Sequence, residues 1–149
     1  MLKQTKYYQL LTRLYELKKL DILDEVVDAN IKFAMAELNR EQLNEGSRAD
    51  GTSLPDYSPT SVNVYGKTPG PIKLFDTGAF HESIIVIASN NTYRFLSSPL
   101  KRDEMTGKIT NLKEVYGNEI IGLDKQSLDK IRTQVKERIH GYLRKLLKS

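Results

Sequence analysis

The stretch from Ser47 to Phe75 most constrains what this chain can fold into, because it holds four of the five prolines. Proline lacks a backbone N–H and fixes φ, so no long helix or central strand can cross this stretch. A connection of this length is uncommon inside a compact domain unless it has its own task. It also carries apolar side chains, namely Leu54, Tyr57, Val62, Val64 and Tyr65. The stretch therefore predicts an extended arm or open hairpin that packs on another surface, such as that of a neighbouring subunit.

The residues before this arm have a helical pattern. Apolar residues recur there at steps of three and four, as in an amphipathic helix; they are Tyr7, Leu10, Leu11, Leu14 and Leu17. Asp21 is the expected N-cap of a second helix, which continues through Phe33 to Leu38. Gly46 is the expected stop, since glycine commonly ends helices. The pattern predicts two helices within the first 46 residues.

The residues after the arm have a β pattern. Asp76 or Thr77 is expected to cap one short helical turn, in which Phe80 and Ile84 share a face. The run Ile84–Ala88 is β-branched and predicts a buried strand. A turn at 90–91 and a returning strand at 92–97 follow, and then a polar loop at 99–110 that turns at 106–107.

The end of the chain predicts a long amphipathic helix, reached through a short segment at 112–123. Asp124 is its expected cap. Its apolar positions have helical spacing; they are Leu128, Ile131, Val135, Ile139, Tyr142, Leu143 and Leu146. The whole pattern predicts an α+β fold. It would comprise two N-terminal helices, an arm at 47–75, a small antiparallel sheet and a basic C-terminal helix, in one domain of 1–149.

Charge is concentrated in this last helix. The chain has net charge +4, but from Lys125 onward eight basic residues stand against two acidic ones. Such asymmetry suggests DNA or an acidic protein as partner. The candidate contacts are Lys130, Arg138, Arg144 and Lys145. The alternative is an ordinary solvated helix face, and no aromatic strand or recognition helix typical of nucleic-acid binding accompanies the charge.

Composition excludes several classes of site. Without cysteine the chain has no disulfide, thiolate nucleophile or Cys-ligated metal. Its two histidines, His81 and His140, lie far apart in sequence, which excludes a His-rich zinc site. The longest apolar run has five residues, far below the roughly 18 of a membrane span. We therefore expect no metal, no cofactor and no membrane partner.

One short motif resembles the active-site tripeptide of retroviral-type aspartic proteases. The segment is 74–79, with Asp76, Thr77 and Gly78 at its centre, and 120–124 resembles the later apolar-glycine motif of those enzymes. The resemblance implies a dimer in which two copies of Asp76 share a proton and activate water. The alternative interpretation is structural, a capped turn that leads into a strand.

A longer pattern runs from Glu41 to Leu123. A helix ends in a glycine, an arm follows with an Asp-Gly and a Tyr-Ser, and a Thr-Gly turn leads into a strand; a Tyr-Gly and a later glycine close the pattern. This order resembles that of phage virion-morphogenesis proteins. The residues that carry the resemblance are Gly46, Asp50, Gly51, Tyr57, Asp76, Thr77, Gly78, Ser83, Tyr116 and Gly117.

The resemblance implies a structural virion protein of a tailed bacteriophage. It would be a connector, neck or tail-completion (head–tail joining) subunit of a ring between the head and the tail, with no catalytic residues and no cofactor. Its partners would be further copies of itself, the portal and tail proteins, and genomic DNA that passes through the lumen without sequence recognition. It would assemble in the host cytoplasm and reside in the neck or tail of the virion. The protease that uses Asp76, and a nucleic-acid-binding module built on the C-terminal helix, are the alternatives.

The resemblance also implies structural roles for individual residues. Gly46 and Gly51 would permit backbone turns. Thr77 and Gly78 would set the start of the turn that leads into the strand, and Tyr57 would anchor the arm.

Overall fold

The structure is a computed structural model, and it describes residues 9, 12, 26–89 and 92–148. The predicted first helix at Tyr7–Leu17 and the predicted cap Asp21 lie outside the described residues, as does the predicted turn at 90–91.

Helix α1 is Ala29–Asn44, and its boundaries have clear local causes. Asp28 is the N-cap, because its side chain accepts from the N–H of Ile31 at 3.0 Å. At the other end the N–H groups of Gly46 and Ser47 bond back to Leu43 and Gln42, with Gly46 in the left-handed region at φ 75°. The predicted stop at Gly46 is confirmed. The prediction of one helix running from Asp21 through Phe33 is wrong, because the chain leaves the helical conformation at 27–28.

The arm is a hairpin whose base packs on its own chain. Isolated bridges join Ser47 to Ser53 and Asp56 to Pro71. Leu54 is buried, so this part of the arm belongs to the core of the same molecule. The arm also contains one regular element that the sequence did not predict, the short helix α2 (Pro59–Asn63). Proline is compatible with α2 because it stands in its first turn, where its missing N–H has no partner to lose.

The β region contains two separate two-stranded antiparallel sheets. Helix α3 (Ala79–Glu82) leads into β1 (Ile85–Ser89), which pairs with β2 (Thr92–Leu96) as predicted. Strands β3 (Leu100–Arg102) and β4 (Ile109–Asn111) form the second sheet. The prediction of a polar loop over 99–110 is therefore wrong. The Asp103 side chain accepts from the N–H groups of Met105 and Thr106 and closes the turn between these strands, which includes Gly107 at φ 69°.

The C-terminal part follows the predicted order. Helix α4 (Leu112–Tyr116) and a 3-10 turn (Asn118–Ile120) lead to the long helix α5 (Lys125–Lys148). The predicted cap of α5 is confirmed, since the Asp124 side chain accepts from the N–H of Ser127 at 2.8 Å.

The core lies where α1, the inner face of β1–β2 and the apolar side of α5 meet. Its fully buried side chains include Val27, Met35, Leu43, Ile84, Ile120 and Ile131. In the described part of the chain there are five α-helices and two small antiparallel sheets, which confirms the α+β class. No helix over those residues combines the length and apolar character that crossing a membrane requires.

Candidate functional site

The Asp-Thr-Gly turn is held by Thr77 and Gly78. The Thr77 hydroxyl accepts from the N–H of Ala79 at 3.3 Å, at the start of α3. Gly78 is the residue before α3 and has φ 86°, a conformation that glycine adopts at little cost. A Cβ atom at Gly78 would also lie 3.3 Å from the Phe75 ring. The prediction that Asp76 or Thr77 caps α3 is wrong, because Gly78 is the N-cap and has no side chain to accept a bond; Thr77 instead bonds the first N–H of the helix from one residue further out.

The carboxylate of Asp76 is instead paired with two lysines. Its oxygens lie 2.7 Å from Lys101 Nζ on β3 and 3.7 Å from Lys67 Nζ on the arm. The ammonium of Lys101, followed by that of Lys67, keeps the pKa of Asp76 below its usual value. A carboxyl that shares a proton with a second copy needs a raised pKa, because two like charges meet there. The surroundings of Asp76 favour an ion pair between the arm and β3 over acid–base chemistry.

His81 and Arg40 join the arm, α3 and α1. His81 is buried with its ring edge-on to Phe75, and its Nε2 lies 2.8 Å from the carbonyl oxygen of Lys73. Burial lowers the pKa of His81, which favours the neutral ring. Because a carbonyl oxygen can only accept, Nε2–H is the donor to Lys73. Arg40 donates to the carbonyl oxygens of His81 at 2.7 Å and Ile84 at 3.0 Å. Sequence reasoning missed this role of Arg40, since the two carbonyl groups that it bonds lie more than 40 residues away and no local pattern indicates them.

Two adjoining surface clefts lie on either side of Phe75. One of about 340 Å³ is lined by α1 and the α3 turn, including Glu37, Arg40 and Glu82. The other, of about 230 Å³, is lined mainly by the arm, including Lys67 and Lys73. Arg40 and Lys67 already have carbonyl or carboxylate partners. Arg40 and Lys67 therefore hold the walls of these clefts together. In the described part of the chain no three His, Asp or Glu side chains group to hold a metal ion.

The arm is stabilised at its base and exposed at its tip. The Tyr57 hydroxyl accepts from the N–H of Lys73 at 3.3 Å, and the Tyr57 N–H donates to Gly70 at 2.9 Å. Tyr57 therefore bonds to the opposite side of the arm's base. At the tip, Val64 is 69% and Tyr65 is 71% exposed. The prediction of packing on a neighbouring subunit can apply to the tip but not to the base.

Five further motif residues occupy turns or close contacts. At the turn before Leu54, the Asp50 side chain accepts from the N–H of Thr52 at 2.9 Å, and Gly51 has φ 81°. The Ser83 hydroxyl donates to Phe80 at 2.7 Å and accepts from the N–H of Ser98 at 2.9 Å, which ties α3 to the end of β2. The last two motif residues lie at the end of α4, where Tyr116 packs against the core and Gly117 has φ 91°.

Three aliphatic side chains lie exposed on the outer face of the β1–β2 sheet, and no described residue covers them. Ile85 is 52% exposed and lies directly opposite Leu96, which is 39% exposed. Ile87, also 39% exposed, lies opposite Arg94. Antiparallel sheets with one solvated face usually carry polar side chains on that face. The sequence predicted a buried strand here, and the described residues bury its inner face only.

The four candidate cations of α5 lie on its solvent side, but one of them is already paired. Lys130, Arg138, Arg144 and Lys145 are all exposed, but Arg138 is paired with Asp28 at 2.5 Å. By helical spacing the four fall within about a third of the helix circumference, with Arg144 at one edge and Arg138 at the other. The pairing of Arg138 also keeps the pKa of Asp28 below its usual value. Arg138 therefore has a structural role at the start of α1.

Comparisons of the chain with protein-family models, curated proteins and solved structures found no match.

Proposed function

We propose that this protein is a structural virion protein of a tailed bacteriophage, a connector, neck or tail-completion subunit that forms a ring between head and tail. The order of its sequence motifs suggests this class. The observation that carries the proposal is the outer face of β1–β2, where Ile85, Ile87 and Leu96 lie exposed beside one another.

A ring subunit needs surfaces that are buried only when the ring forms. Burying apolar area is favourable by about 25 cal/mol per Å², so aliphatic side chains on a sheet face that the described residues leave exposed favour association. A two-stranded sheet is also marginal by itself in water and gains from a further layer. Both considerations favour a partner on this face.

The exposed tip of the arm supplies a second apolar surface on a different element, through Val64 and Tyr65. Two unlike surfaces on one molecule suit a head-to-tail contact, in which one surface of each copy meets the other surface of the next. Head-to-tail contacts generate rings when the rotation closes. A twofold dimer, which the protease alternative requires, would pair like surfaces instead.

The proposal assigns no catalytic residue. Asp76 has a structural role in it, as the carboxylate between Lys67 and Lys101. The exposed cations of α5, Lys130, Arg144 and Lys145, are its candidate contacts for DNA in the lumen or for an acidic portal or tail protein. Such contacts to phosphate would position the ring without recognition of base sequence.

The proposal is tested by native mass spectrometry and electron microscopy of the purified chain, alone and mixed with tailless heads and free tails of the phage that encodes it. We expect a closed ring alone and joined particles in the mixture. A chain that stays a dimer and joins no particles would contradict the proposal and favour the protease.

The arm is tested in the same assay. Deleting residues 56–69 should leave the helical circular dichroism signal in place and abolish assembly. The double change Val64→Ser and Tyr65→Ser is a milder variant that keeps the base of the arm. Val115→Ser is its control, since Val115 on α4 is 57% exposed and belongs to neither surface. Normal assembly by the deleted chain would exclude a role for the arm.

A further inference from the structure

We propose that the outer face of β1–β2 in one copy binds the outer face of α1 in the next copy. This inference rests on the proposed function only in that both require a ring; it identifies which surfaces meet. The two faces are complementary in hydrophobicity and in charge.

Helix α1 has two different faces. The inner one carries Ile31, Met35, Asn39 and Leu43, all buried, and packs against β1 of the same chain. The outer one repeats at four-residue steps and ends at the residue that follows the helix; its members are Phe33, Glu37, Glu41 and Glu45. This outer row is therefore one aromatic side chain followed by three carboxylates.

The outer row of α1 is open to a partner. Phe33 is 64% exposed. Glu37 is paired with Arg40 within α1, whereas Glu41 and Glu45 are exposed and have no ion-pair partner among the described residues. The row thus offers an aromatic ring and at least two available carboxylates.

The outer face of β1–β2 has the matching chemistry. Its aliphatic pair, Ile85 and Leu96, suits an aromatic side chain, and Arg94 stands beside Ile87 on the same face. Arg94 has no ion-pair partner in the part of the chain that the structure describes. Guanidinium and carboxylate groups form strong charge-assisted hydrogen bonds, and complementary charge sets the orientation and partner of an interface. Phe33 against the aliphatic pair and the glutamates against Arg94 is the arrangement that satisfies both.

The layer order supports a second copy as the occupant. Within one chain, the inner face of α1 packs against β1 and α5. Placing the sheet of one copy on α1 of the next continues the same alternation of helix and sheet. The surfaces also match in length, since α1 spans about 24 Å at its 16 residues and each five-residue strand about 17 Å. Because the two faces differ, the contact is head-to-tail and repeats around a ring.

Charge reversal tests the contact. One variant carries Glu41→Lys and Glu45→Lys, and a second carries Arg94→Glu. Both should fold, since all three side chains are exposed and lysine at a helix C-terminus is favourable; circular dichroism checks this. Sedimentation velocity of the full chain measures assembly, and each variant alone should raise the concentration for half-assembly by about tenfold or more.

The decisive measurement combines the reversed charges. Mixing the two variants should restore assembly, because each lysine-bearing α1 then meets a glutamate-bearing sheet. A chain that carries all three changes should also assemble by itself. Glu104→Lys and Lys108→Glu, exposed changes in the turn between β3 and β4, are the controls and should assemble as the unchanged chain does.

Three outcomes would overturn the inference. They are an unchanged chain that sediments as a monomer or twofold dimer, a reversal that leaves assembly intact, and a mixture that fails to restore it. The last two can occur while rings still form, in which case the proposed function stands and only this contact falls. If the mixture restores assembly but the assembled chains join no heads to tails, the contact is supported and the proposed function is contradicted.

Discussion

The backbone N–H of Gly122 donates to the side-chain oxygen of Asn39, 3.1 Å away and 83 residues earlier in the chain. The amide nitrogen of Asn39 donates in turn to the carbonyl oxygen of Ile120 at 3.2 Å. One turn later on α1, Gln42 repeats the pattern with the carbonyl of Gly122 and the N–H of Asp124. Two buried side-chain amides therefore fix the segment that ends at the cap of α5.

Asn39→Ala should be strongly destabilising. It leaves the N–H of Gly122 and the carbonyl of Ile120 without their partner, and each unpaired buried group costs about 1–3 kcal/mol. We expect the free energy of unfolding, measured with urea, to fall by about 2–4 kcal/mol. Asn30→Ala on the exposed side of the same helix is the control, with an expected change within about 0.5 kcal/mol. Equal losses in both variants would mean that the Asn39 bonds contribute nothing specific.

Gly46→Ala should disrupt the junction between α1 and the arm. Gly46 has φ 75°, and a Cβ atom there would lie 2.3 Å from Pro71 Cβ. Gly51→Ala is the matched control, because Gly51 has φ 81° but open space around its Cα. Both variants place an alanine in the left-handed conformation, which lowers stability by about 1–2 kcal/mol. Only Gly46→Ala adds the clash with Pro71. Thermal unfolding should show a clearly larger loss for Gly46→Ala, and equal losses would show that Pro71 moves aside freely.

Features that rest on local physics could be predicted from the sequence. The stop at Gly46 follows from glycine's tolerance of positive φ, and the cap at Asp124 from its side-chain acceptor. The β1–β2 pair follows from two β-branched or aromatic runs around a turn. In each case the interacting groups are close in sequence, at most eleven residues apart between Ile85 and Leu96, so the pattern in the sequence contains the whole cause.

Features that rest on very short strands or on distant partners could not be predicted. Strands β3 and β4 have three residues each, too few for an alternating pattern to stand out. Asp76 has the composition of a cap, but Lys101 outcompetes the helix terminus for its carboxylate. The exposure of Ile85 could not be foreseen either, because an aliphatic run has the same pattern whether its second face is covered by the chain or by a partner.

The stability of the fold should depend on pH through His81. Burial lowers the pKa of His81 below the ordinary histidine value of about 6.5, so on acidification the unfolded chain takes up a proton there first. Stability is then full above about pH 6.5 and falls as the pH drops from there toward the folded-state pKa. His81→Gln removes the titration and should flatten the urea-unfolding free energy between about pH 5 and 7. An unchanged slope in this variant would assign the dependence to other groups.

The carboxylates of Asp76 and Asp28 affect stability in a lower pH range than His81 does. The pKa of Asp76 is lowered chiefly by Lys101, and that of Asp28 chiefly by Arg138. Their contribution is present above about pH 4 and is lost below it, so it does not overlap the histidine window.

Asp76→Asn separates a structural role from catalysis. The ion pairs of Asp76 are solvent-exposed and screened by salt, so their loss should change the free energy of unfolding by less than about 1 kcal/mol. Thermal unfolding measures this change, and Lys101→Gln, which removes the main partner of Asp76, should have a similarly small effect. A peptide-hydrolysis assay at several pH values tests the alternative. Hydrolysis by the unchanged chain that disappears in Asp76→Asn would establish the protease.

The charged surface of α5 can be tested by the dependence of DNA affinity on salt. If this helix faces DNA in a ring, affinity should be independent of sequence and fall with salt by about 0.9 per phosphate contact in the log–log slope. Changing Arg144 and Lys145 to glutamine should then flatten the slope by up to about 2, equally on any DNA sequence. The matched control changes Arg132 and Lys136 to glutamine, since helical spacing places this pair on another side of α5.

Comparing the two pairs decides among the three interpretations of the helix. If only the Arg144 and Lys145 variant shows a weaker dependence of DNA affinity on salt, DNA lies on the side of α5 that carries these two residues. If the helix binds an acidic protein of the head or tail, DNA affinity should be negligible near physiological salt, while binding of that protein falls in the same variant. Because Arg138 is already held by Asp28, it should contribute little to either contact. If neither double substitution changes the affinity for DNA or for the acidic protein, the charges of α5 belong to an ordinary solvated helix face.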